Sequence, residues 1–168
     1  MELWDAYDRQ MNRVEGVTLV RGEPIPEGLY HLVSDILVVH ADGTILLMQR
    51  DPAKTFGDRW EASAGGSALQ GETPEACALR ELREETGIVA GALTPLGRVT
   101  SHDTHFVGFL CRTDWDKRAV TLQKGETVAF RWVTREELLA MPREQLLADR
   151  VWGIIEKGQL FSSANWGL

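Results

Sequence analysis

The chain has 168 residues, 43% of them hydrophobic and 26% charged, which suits one soluble domain with a sizeable core. Its formal net charge of −7 argues against binding to nucleic-acid duplexes, because their phosphate backbone requires a basic protein surface. The two cysteines, Cys77 and Cys111, give no disulfide framework, and we expect both to be reduced packing residues. No apolar run approaches the roughly 20 residues of a membrane span, and the first residues lack the apolar core of a secretory signal. We therefore expect a cytoplasmic protein with no membrane partner.

Residues 1–28 are predicted to form a small N-terminal β cap that belongs to the same unit as residues 29–168. Within the cap, residues 3–5 and 17–20 are typical of short strands, and two prolines mark the junction that follows. The cap is also a candidate surface for a homodimer.

The segment before the first helix predicts three strands. The first is an apolar run rich in β-branched residues, which is typical of a central strand, and Asp42-Gly43 is a hairpin signal that returns the chain beside it. A glycine pair, Gly65-Gly66, then predicts a loop where backbone can approach a ligand closely. The predicted strands cover residues 32–40, 44–49 and 60–64, with a loop at 50–59.

The first helix is predicted at about residues 74–86. Thr73 is a good N-cap and Pro74 a good first helical residue. Gly87 is the expected residue just past the C-terminus.

Three carboxylates share one face of this helix. At about 100° per residue, Glu84 and Glu85 fall within roughly 60° of Glu81. These acids repel one another by about 0.2–0.5 kcal/mol per pair, and one arginine, Arg80, does not neutralise all three. Oxygen ligands favour a hard divalent ion, Mg²⁺ or Mn²⁺. The face is therefore either a solvated acidic surface or a metal site.

More strands and then helices are predicted after this helix. Thr134 with Glu137 three residues later has the spacing of a capping box, and the last predicted helix is amphipathic. The element order predicts an α+β or mixed α/β fold. The predicted strands cover residues 96–101, 106–112 and 128–133, and the predicted helices cover 135–141 and 144–157.

The glycine pair and the acidic helix together resemble the Nudix box, G-x5-E-x7-R-E-U-x-E-E-x-G-U, in which U is a bulky aliphatic residue. The run from Gly66 to Ile88 fills every fixed position, with Glu72 and Arg80 at the required spacing. The N-terminal sequences LWDAYD and VRGEPIPEGLYH are similar to a Nudix branch related to isopentenyl-diphosphate isomerase. The resemblance implies the Nudix fold, a mixed β-sheet sandwiched between helices.

The same resemblance implies a hydrolase that uses Mg²⁺ to cleave the diphosphate bond of a small substrate, a nucleoside diphosphate joined to another group. Glu72 is expected to orient the glycine loop or to hold outer-shell water, and Arg80 to fix Glu84 or a neighbour in place. The implied metal ligands are Glu81, Glu84, Glu85 and the backbone carbonyl of Gly65.

The general base and the substrate contacts are less determined by the sequence. Nudix enzymes use either a box glutamate or an acid on a later loop, and the candidates here are Glu84, which we favour, and Glu126. Arg50, Lys54 and Arg59 flank the loop that enters the site, and each is a candidate to hold substrate phosphates or a plain surface charge.

Two other groups of residues have competing interpretations. His102, Asp103 and His105 are either a second metal site or, as we favour, a polar hairpin loop. Trp60 and Trp132 are candidates to stack on a base, although a role in the core or at its rim is the default.

Two rival functions follow from the same resemblance. An isopentenyl-diphosphate isomerase would use a cysteine just before the box helix, and residues 61–66 contain none. A non-catalytic Nudix domain that binds a ligand or regulates a partner would often lack box glutamates, and this chain keeps them all.

Overall fold

The computed structural model describes residues 1–147 of the chain. These residues form ten strands and two α-helices, with short 3-10 turns between some of them. The strands are β1 Leu3–Tyr7, β2 Arg13–Val20, β3 His31–His40, β4 Ile45–Arg50, β5 Trp60–Ala62, β6 Ala64–Ser67, β7 Thr94–Ser101, β8 Thr104–Thr113, β9 Thr127–Val133 and β10 Leu146–Leu147, and the helices are α1 Pro74–Thr86 and α2 Arg135–Ala140.

Helix α1 has the bounds that its capping residues predict. The Thr73 hydroxyl accepts a hydrogen bond from the backbone N–H of Ala76 at 3.1 Å, which satisfies one of the free donors of the first turn. Gly87 adopts a left-handed conformation with φ 76° and donates its N–H to the Arg83 carbonyl at 3.0 Å. Because a side chain disfavours that backbone angle, glycine ends the helix here.

Strand β3 is the centre of a mixed sheet. It runs parallel to β8 over its whole length, from His31 opposite Thr104 to His40 opposite Thr113. It is antiparallel to β4 and β6, while β4 also pairs with β5 and β9. The order β10-β5-β4-β3-β8-β7 places the apolar β3 near the middle of the sheet, as the sequence predicts.

The sheet lies between the two helices because β3 buries side chains on both of its faces. Ile36 and Val38 belong to a core that includes Leu82 of α1. Leu37 and Val39 point the other way and belong to a second core that includes Leu138 of α2. This arrangement confirms the predicted α+β fold with a mixed sheet between helices.

The strand predicted at 60–64 is in fact two strands, and the predicted glycine loop is part of the second. Strand β5 pairs with β4, whereas β6, which contains Gly65 and Gly66, pairs with β3. Ser63 lies at the break and is completely buried. Its hydroxyl accepts from the Val38 N–H at 2.7 Å and donates to the Leu46 carbonyl at 2.8 Å. One side chain thus bridges β3 and β4 where the two strands diverge.

The N-terminal cap is a two-stranded sheet with longer strands than predicted. Trp4 and Leu19 are buried in a small core between β1 and β2. The cap is joined to the rest of the chain by backbone hydrogen bonds, in which Tyr7 and Tyr30 exchange N–H and carbonyl groups at 2.9 Å. The Trp4 ring also stacks on His31 at 4.5 Å between centroids.

The helix predicted at 144–157 is wrong at its start. A 3-10 turn covers Arg143–Gln145, and Leu146–Leu147 form β10, which pairs in parallel with β5. The free edge of β5 and the burial of Leu146 in the second core outweigh the local helical pattern, because non-local pairing overrides propensity. The rest of the predicted helix lies outside the described residues. Within residues 1–147, no helix combines the length and apolar character needed to cross a bilayer.

Candidate active site

Arg80 holds the acidic side of the site together. Its Nε and Nη2 atoms bind the two carboxylate oxygens of Glu72 at 2.7 and 2.8 Å, and Nη1 binds Glu81 at 2.7 Å. Nη2 also donates to the Ser67 carbonyl at 3.1 Å. The expected pair with Glu84 is present but longer, at 3.3 Å. The bidentate bond to Glu72 is therefore the main contact of the guanidinium, and it lowers the pKa of Glu72.

Glu72 also orders the segment between β6 and α1. Its Oε2 accepts a hydrogen bond from the backbone N–H of Leu69 at 2.9 Å. Because Glu72 is bound to Arg80 on the helix at the same time, the connection and the helix are fixed to each other. This position agrees with the orienting role expected for Glu72.

Glu81 lies against a strand that has no room for a side chain. A Cβ atom built on Gly66 would stand 2.2 Å from Glu81 Oε1. The Glu81 carboxylate is largely buried, with 13% of its side chain exposed. Burial raises the pKa of Glu81 even though Arg80 opposes the shift. Glycine at position 66 is therefore what lets an acid approach the strand this closely.

Glu85 is the most strongly perturbed acid of the helix. Its Oε2 accepts a hydrogen bond from the Gly65 N–H at 3.1 Å. Burial, reinforced by the negative charge of Glu81, raises the pKa of Glu85 to about 8. A carboxylate pair in such a setting is stabilised by a cation, and its oxygen donors suit Mg²⁺ or Mn²⁺. Glu84, by contrast, lies at the solvent edge with 41% of its side chain exposed.

The carboxylates of Glu81, Glu84 and Glu85 do not converge on one point. In residues 1–147, no three acidic, histidine or cysteine side chains converge closely enough to hold an ion. Glu81 and Glu84 share Nη1 of Arg80, while Glu85 faces the Gly65 N–H. The oxygen donors of these acids nevertheless suit a hard cation, and Gly66 leaves room for the Glu81 carboxylate beside β6.

Two of the predicted phosphate-binding residues lie beside these acids. Arg50 binds Glu61 at 2.7 Å, and Lys54 forms an ion pair with Glu126. Burial and the Arg50 charge lower the pKa of Lys54, while Glu85 and Glu61 oppose the shift. Lys54 is thus close enough to Glu85 for their charges to interact, and Arg50 and Glu126 are near it. Their roles at the site stay predictions.

Arg59 is not brought to the box acids by any described contact. Its guanidinium carbon lies 5.1 Å from the centre of the Phe56 ring, and its backbone carbonyl accepts from the Arg50 N–H at 3.0 Å. Its side chain therefore supports the loop between β4 and β5.

Glu61 and Asp35 belong to the site but were not singled out by the sequence. Burial raises the pKa of Glu61, and the negative charge of Asp35 adds to that shift. Asp35 faces Gly65 in the ladder, where a Cβ would stand 2.8 Å from its Oδ1. A signal was present for both, because an acid inside an apolar strand is unusual unless it is paired or functional.

The histidine cluster is a hairpin and its supports, as favoured above. His102 and Asp103 form the turn between β7 and β8, where Ser101 pairs with Thr104. His105 is 1% exposed; its Nε2 donates to the Asp8 carbonyl at 2.7 Å, and its Nδ1 is 2.8 Å from the Thr100 hydroxyl. Both ring nitrogens thus have partners within the protein.

The two tryptophans considered for base stacking have partners in the protein. The Arg131 guanidinium lies 4.3 Å from the Trp60 ring centre. Trp132 donates its indole N–H to the Lys117 carbonyl at 3.2 Å and packs against the first core. These contacts agree with the default of a core or rim role.

Comparison with known proteins identifies the class to which this fold and this acidic helix belong. The model of the NUDIX domain matches residues 29–151. The chain is 35% identical over 144 residues to an uncharacterised Nudix hydrolase of Listeria monocytogenes, covering 84% of this chain and 85% of that protein. The chain therefore belongs to the Nudix hydrolase family, whose members act on phosphoanhydride bonds.

Two further comparisons bear on the branch and the fold. The chain is 30% identical over 138 residues to an isopentenyl-diphosphate Delta-isomerase of Nocardia farcinica, covering 74% of this chain and 75% of that enzyme. The crystal structure of DR0079 from Deinococcus radiodurans aligns with a TM-score of 0.67 and 24% identity, covering 83% of this chain and 87% of that one. The first agrees with the N-terminal resemblance, and the second supports the fold.

Proposed function

We propose that this chain is a Mg²⁺-dependent hydrolase that cleaves the diphosphate bond of a nucleoside diphosphate linked to another group. The observation that carries the proposal is the packing of two acids of α1 on β6, where Glu85 accepts a hydrogen bond from the Gly65 N–H at 3.1 Å and Glu81 Oε1 lies 2.2 Å from the position of a Cβ on Gly66. A cation between two such acids would favour their ionised forms. A metal ion beside Glu81 and Glu85 would also assist the attack of water on phosphorus.

The metal ion would be held by Glu81, Glu84 and Glu85 with the Gly65 carbonyl. When bound, it offsets phosphate charge and lowers the pKa of a coordinated water. Mn²⁺ is a chemically acceptable substitute, since both ions take oxygen ligands. Arg80 is a positioning residue in this proposal, because its bidentate contact with Glu72 fixes the guanidinium beside Glu81.

Glu84 is the general base that we favour, with Glu126 as the alternative. Glu84 is the most exposed of the three proposed carboxylate ligands of the metal, so its carboxylate is open to water, whereas Glu126 is already paired with Lys54. At saturating Mg²⁺, Glu84→Gln is expected to lower kcat by about 10²–10⁴-fold, the usual contribution of a general base. A larger loss of kcat in Glu126→Gln would move this role to the later loop.

Arg50 and Lys54 are proposed to bind the substrate phosphates, and Arg59 is retained as a third candidate. Arg50 and Lys54 are each held by an acid, Glu61 and Glu126 respectively, so the cations are oriented before substrate arrives. Charge-assisted bonds of this kind are among the stronger polar contacts in proteins. Arg50→Lys should raise KM more than it lowers kcat, because lysine cannot form the bidentate contact.

The function is tested with a panel of nucleoside diphosphate derivatives in Mg²⁺ and in Mn²⁺. Released phosphate and product chromatography identify which bond is cleaved. The wild type should turn over at least one derivative, and Glu85→Gln should lose about 100-fold or more of kcat through weaker metal binding. Glu75→Gln is the matched control, since Glu75 is an exposed acid in the first turn of the same helix. Equal activity of both variants would contradict the proposal.

The isomerase remains the rival supported by a relative in the comparisons. Against it, the segment that would carry the cysteine contains Glu61, Ser63 and Gly65 but no cysteine, and both cysteines of the chain are buried. Conversion of isopentenyl diphosphate into its isomer by the wild type, without hydrolysis of any nucleotide, would favour this rival. Binding of a nucleotide without turnover would favour the non-catalytic regulator.

Two further properties stay predictions of the sequence. A cytoplasmic location is tested by fractionation of the source cells. A homodimer through residues 1–28 is tested by light scattering of the whole chain, with Trp4 and Leu19 too buried to form the interface themselves.

A further inference from the structure

The loop between β4 and β5 presents an aromatic ring in an unfavourable backbone conformation. The Gly57 N–H donates to the Lys54 carbonyl at 2.9 Å, which closes a four-residue turn. Phe56, the third residue of that turn, has φ 58°, a left-handed angle that bulky side chains rarely adopt. Its side chain is also exposed, with 57% relative accessibility. Glycine would meet the backbone requirement without strain, so the position needs another reason for phenylalanine.

The other residues of this turn are connected to the acidic site. The Thr55 carbonyl accepts a hydrogen bond from Arg50 Nε at 3.2 Å, and Arg50 binds Glu61 at 2.7 Å. Lys54 pairs with Glu126, and its charge acts on Glu85. Phe56 therefore belongs to the same four-residue turn as Lys54 and follows Thr55, whose carbonyl binds Arg50, and these are the two cations that we assign to the substrate phosphates.

The Phe56 ring is supported by Arg59, whose guanidinium carbon lies 5.1 Å from the ring centre. This cation–π contact and the turn fix the orientation of the ring, while most of the side chain stays open to solvent. A flat, pre-oriented and exposed ring is the feature by which proteins stack on nucleobases.

We propose that Phe56 is the base-stacking residue of this enzyme. The ring receives the nucleobase of a substrate whose diphosphate lies on Arg50 and Lys54. The inference rests on the proposed function, because it needs a nucleotide on those cations. An isoprenyl chain is the less suitable occupant, since it requires an enclosing apolar groove, whereas a base needs only one flat face.

Phe56→Gly tests the proposal because its effects on folding and on binding have opposite signs. Removing the ring from a left-handed position should leave the melting temperature unchanged or raise it by about 1–3 °C. The same variant should bind a non-hydrolysable adenosine α,β-methylene diphosphate about tenfold or more weakly in Mg²⁺, as measured by calorimetry. Affinity for base-free methylenediphosphonate should change by less than about twofold. Phe56→Trp should keep the nucleotide affinity, since it retains an aromatic face.

His102→Gly is the matched control. His102 has φ 52° in the turn between β7 and β8, so it undergoes the same kind of relief away from the loop. Its nucleotide affinity should equal that of the wild type.

Three results would overturn the role of Phe56. They are an unchanged nucleotide affinity in Phe56→Gly, an equal loss for the base-free ligand, and an equal loss for isopentenyl diphosphate. These binding measurements remain decisive even if the wild type hydrolyses none of the derivatives in the panel, an outcome that would reject the proposed function instead.

Discussion

Glu85 is buried where its own ionisation is opposed from two directions. Glu81 is on the preceding turn, and both acids lie towards the negative end of α1. The Gly65 N–H, at 3.1 Å, is the backbone donor that favours its ionised form. The acid is therefore a source of instability in the folded protein at alkaline pH whenever no cation is bound.

The pH dependence of stability tests this statement about Glu85. The folded pKa of about 8 lies above the ordinary value of 4.5, so the folded state binds the proton more tightly, and stability falls as pH rises from about 4.5 to 8. In EDTA, Glu85→Gln should therefore melt several degrees above the wild type at pH 9, and this difference should shrink towards pH 5. Scanning calorimetry at both pH values measures it. A constant difference would contradict the raised pKa.

Gly66 is a second residue whose effect can be isolated. Alanine there would place Cβ 2.2 Å from Glu81 Oε1, so the carboxylate must move. We expect Gly66→Ala to weaken Mg²⁺ binding by about tenfold, which equals about 1.4 kcal/mol, because one ligand is misplaced. The melting temperature should change little, because the displaced atom ends a flexible side chain. Titration calorimetry with Mg²⁺ measures the change. Gly91→Ala is the control, since nothing lies within 4 Å of its added Cβ, and equal affinities would refute the expectation.

At the scale of elements, the separation of β5 from β6 creates the site. Strand β5 pairs with β4 and brings Glu61 to Arg50. Strand β6 pairs with β3 and brings Gly65 and Gly66 to α1. Without this division, the glycines and Glu61 would belong to one strand and could not face two different elements. Ser63 makes the division possible, because its hydroxyl replaces backbone partners at the break.

Ser63→Ala should therefore destabilise the protein although it removes a single oxygen atom. The variant leaves the buried Val38 N–H and Leu46 carbonyl without this partner, and an unsatisfied buried group costs about 1–3 kcal/mol. For a chain of this size, 1 kcal/mol corresponds to about 2–4 °C, so the melting temperature should fall by about 2–12 °C. Ser101→Ala, at an exposed position in β7, should change it by less than about 2 °C. A similar effect of both substitutions would show that the bridge is unimportant.

Features that depend on local sequence were predictable, whereas features that depend on distant strands were not. Helix α1 and its acidic face were predictable because Thr73, Gly87 and the 3.6-residue period act locally. The break at Ser63 and the position of Glu61 were not, because both depend on strands that are distant in sequence. Leu146 was assigned to a helix for the same reason, since its parallel partner Trp60 leaves no local signal.

At the scale of the whole molecule, the cap and the sheet share an interface. The Asp5 carboxylate accepts from the Gly71 N–H at 2.8 Å, and the Leu3 carbonyl accepts from the Gln70 N–H at 2.9 Å, so β1 binds the segment that leads into α1. The His105 ring donates a further hydrogen bond to the Asp8 carbonyl at 2.7 Å. Because of these contacts, we expect residues 1–28 to unfold together with the sheet; that the cap is part of the same unit stays a prediction.

Trp4→Ala tests this cooperativity. Truncating a buried tryptophan costs about 3–5 kcal/mol, and in one cooperative unit the single calorimetric transition should move down by about 6 °C or more. Hydrogen exchange should report the same loss of protection in β2 and in β3. Val99→Ala, at an exposed position of β7, is the control. Loss of protection confined to β2, with an unchanged main transition, would define the cap as a separate unit.

The parallel pairing of β3 with β8 has a consequence for biosynthesis. His31 pairs with Thr104 and His40 with Thr113, so one edge of β3 stays unpaired until β8 has been synthesised, although β4 and β6 can already pair with the other edge. At about 5–20 residues per second, this delay lasts several seconds. During this time the unpaired edge of an apolar strand can form non-native contacts. This edge of the nascent chain should consequently stay open to aggregation until residue 113 has emerged.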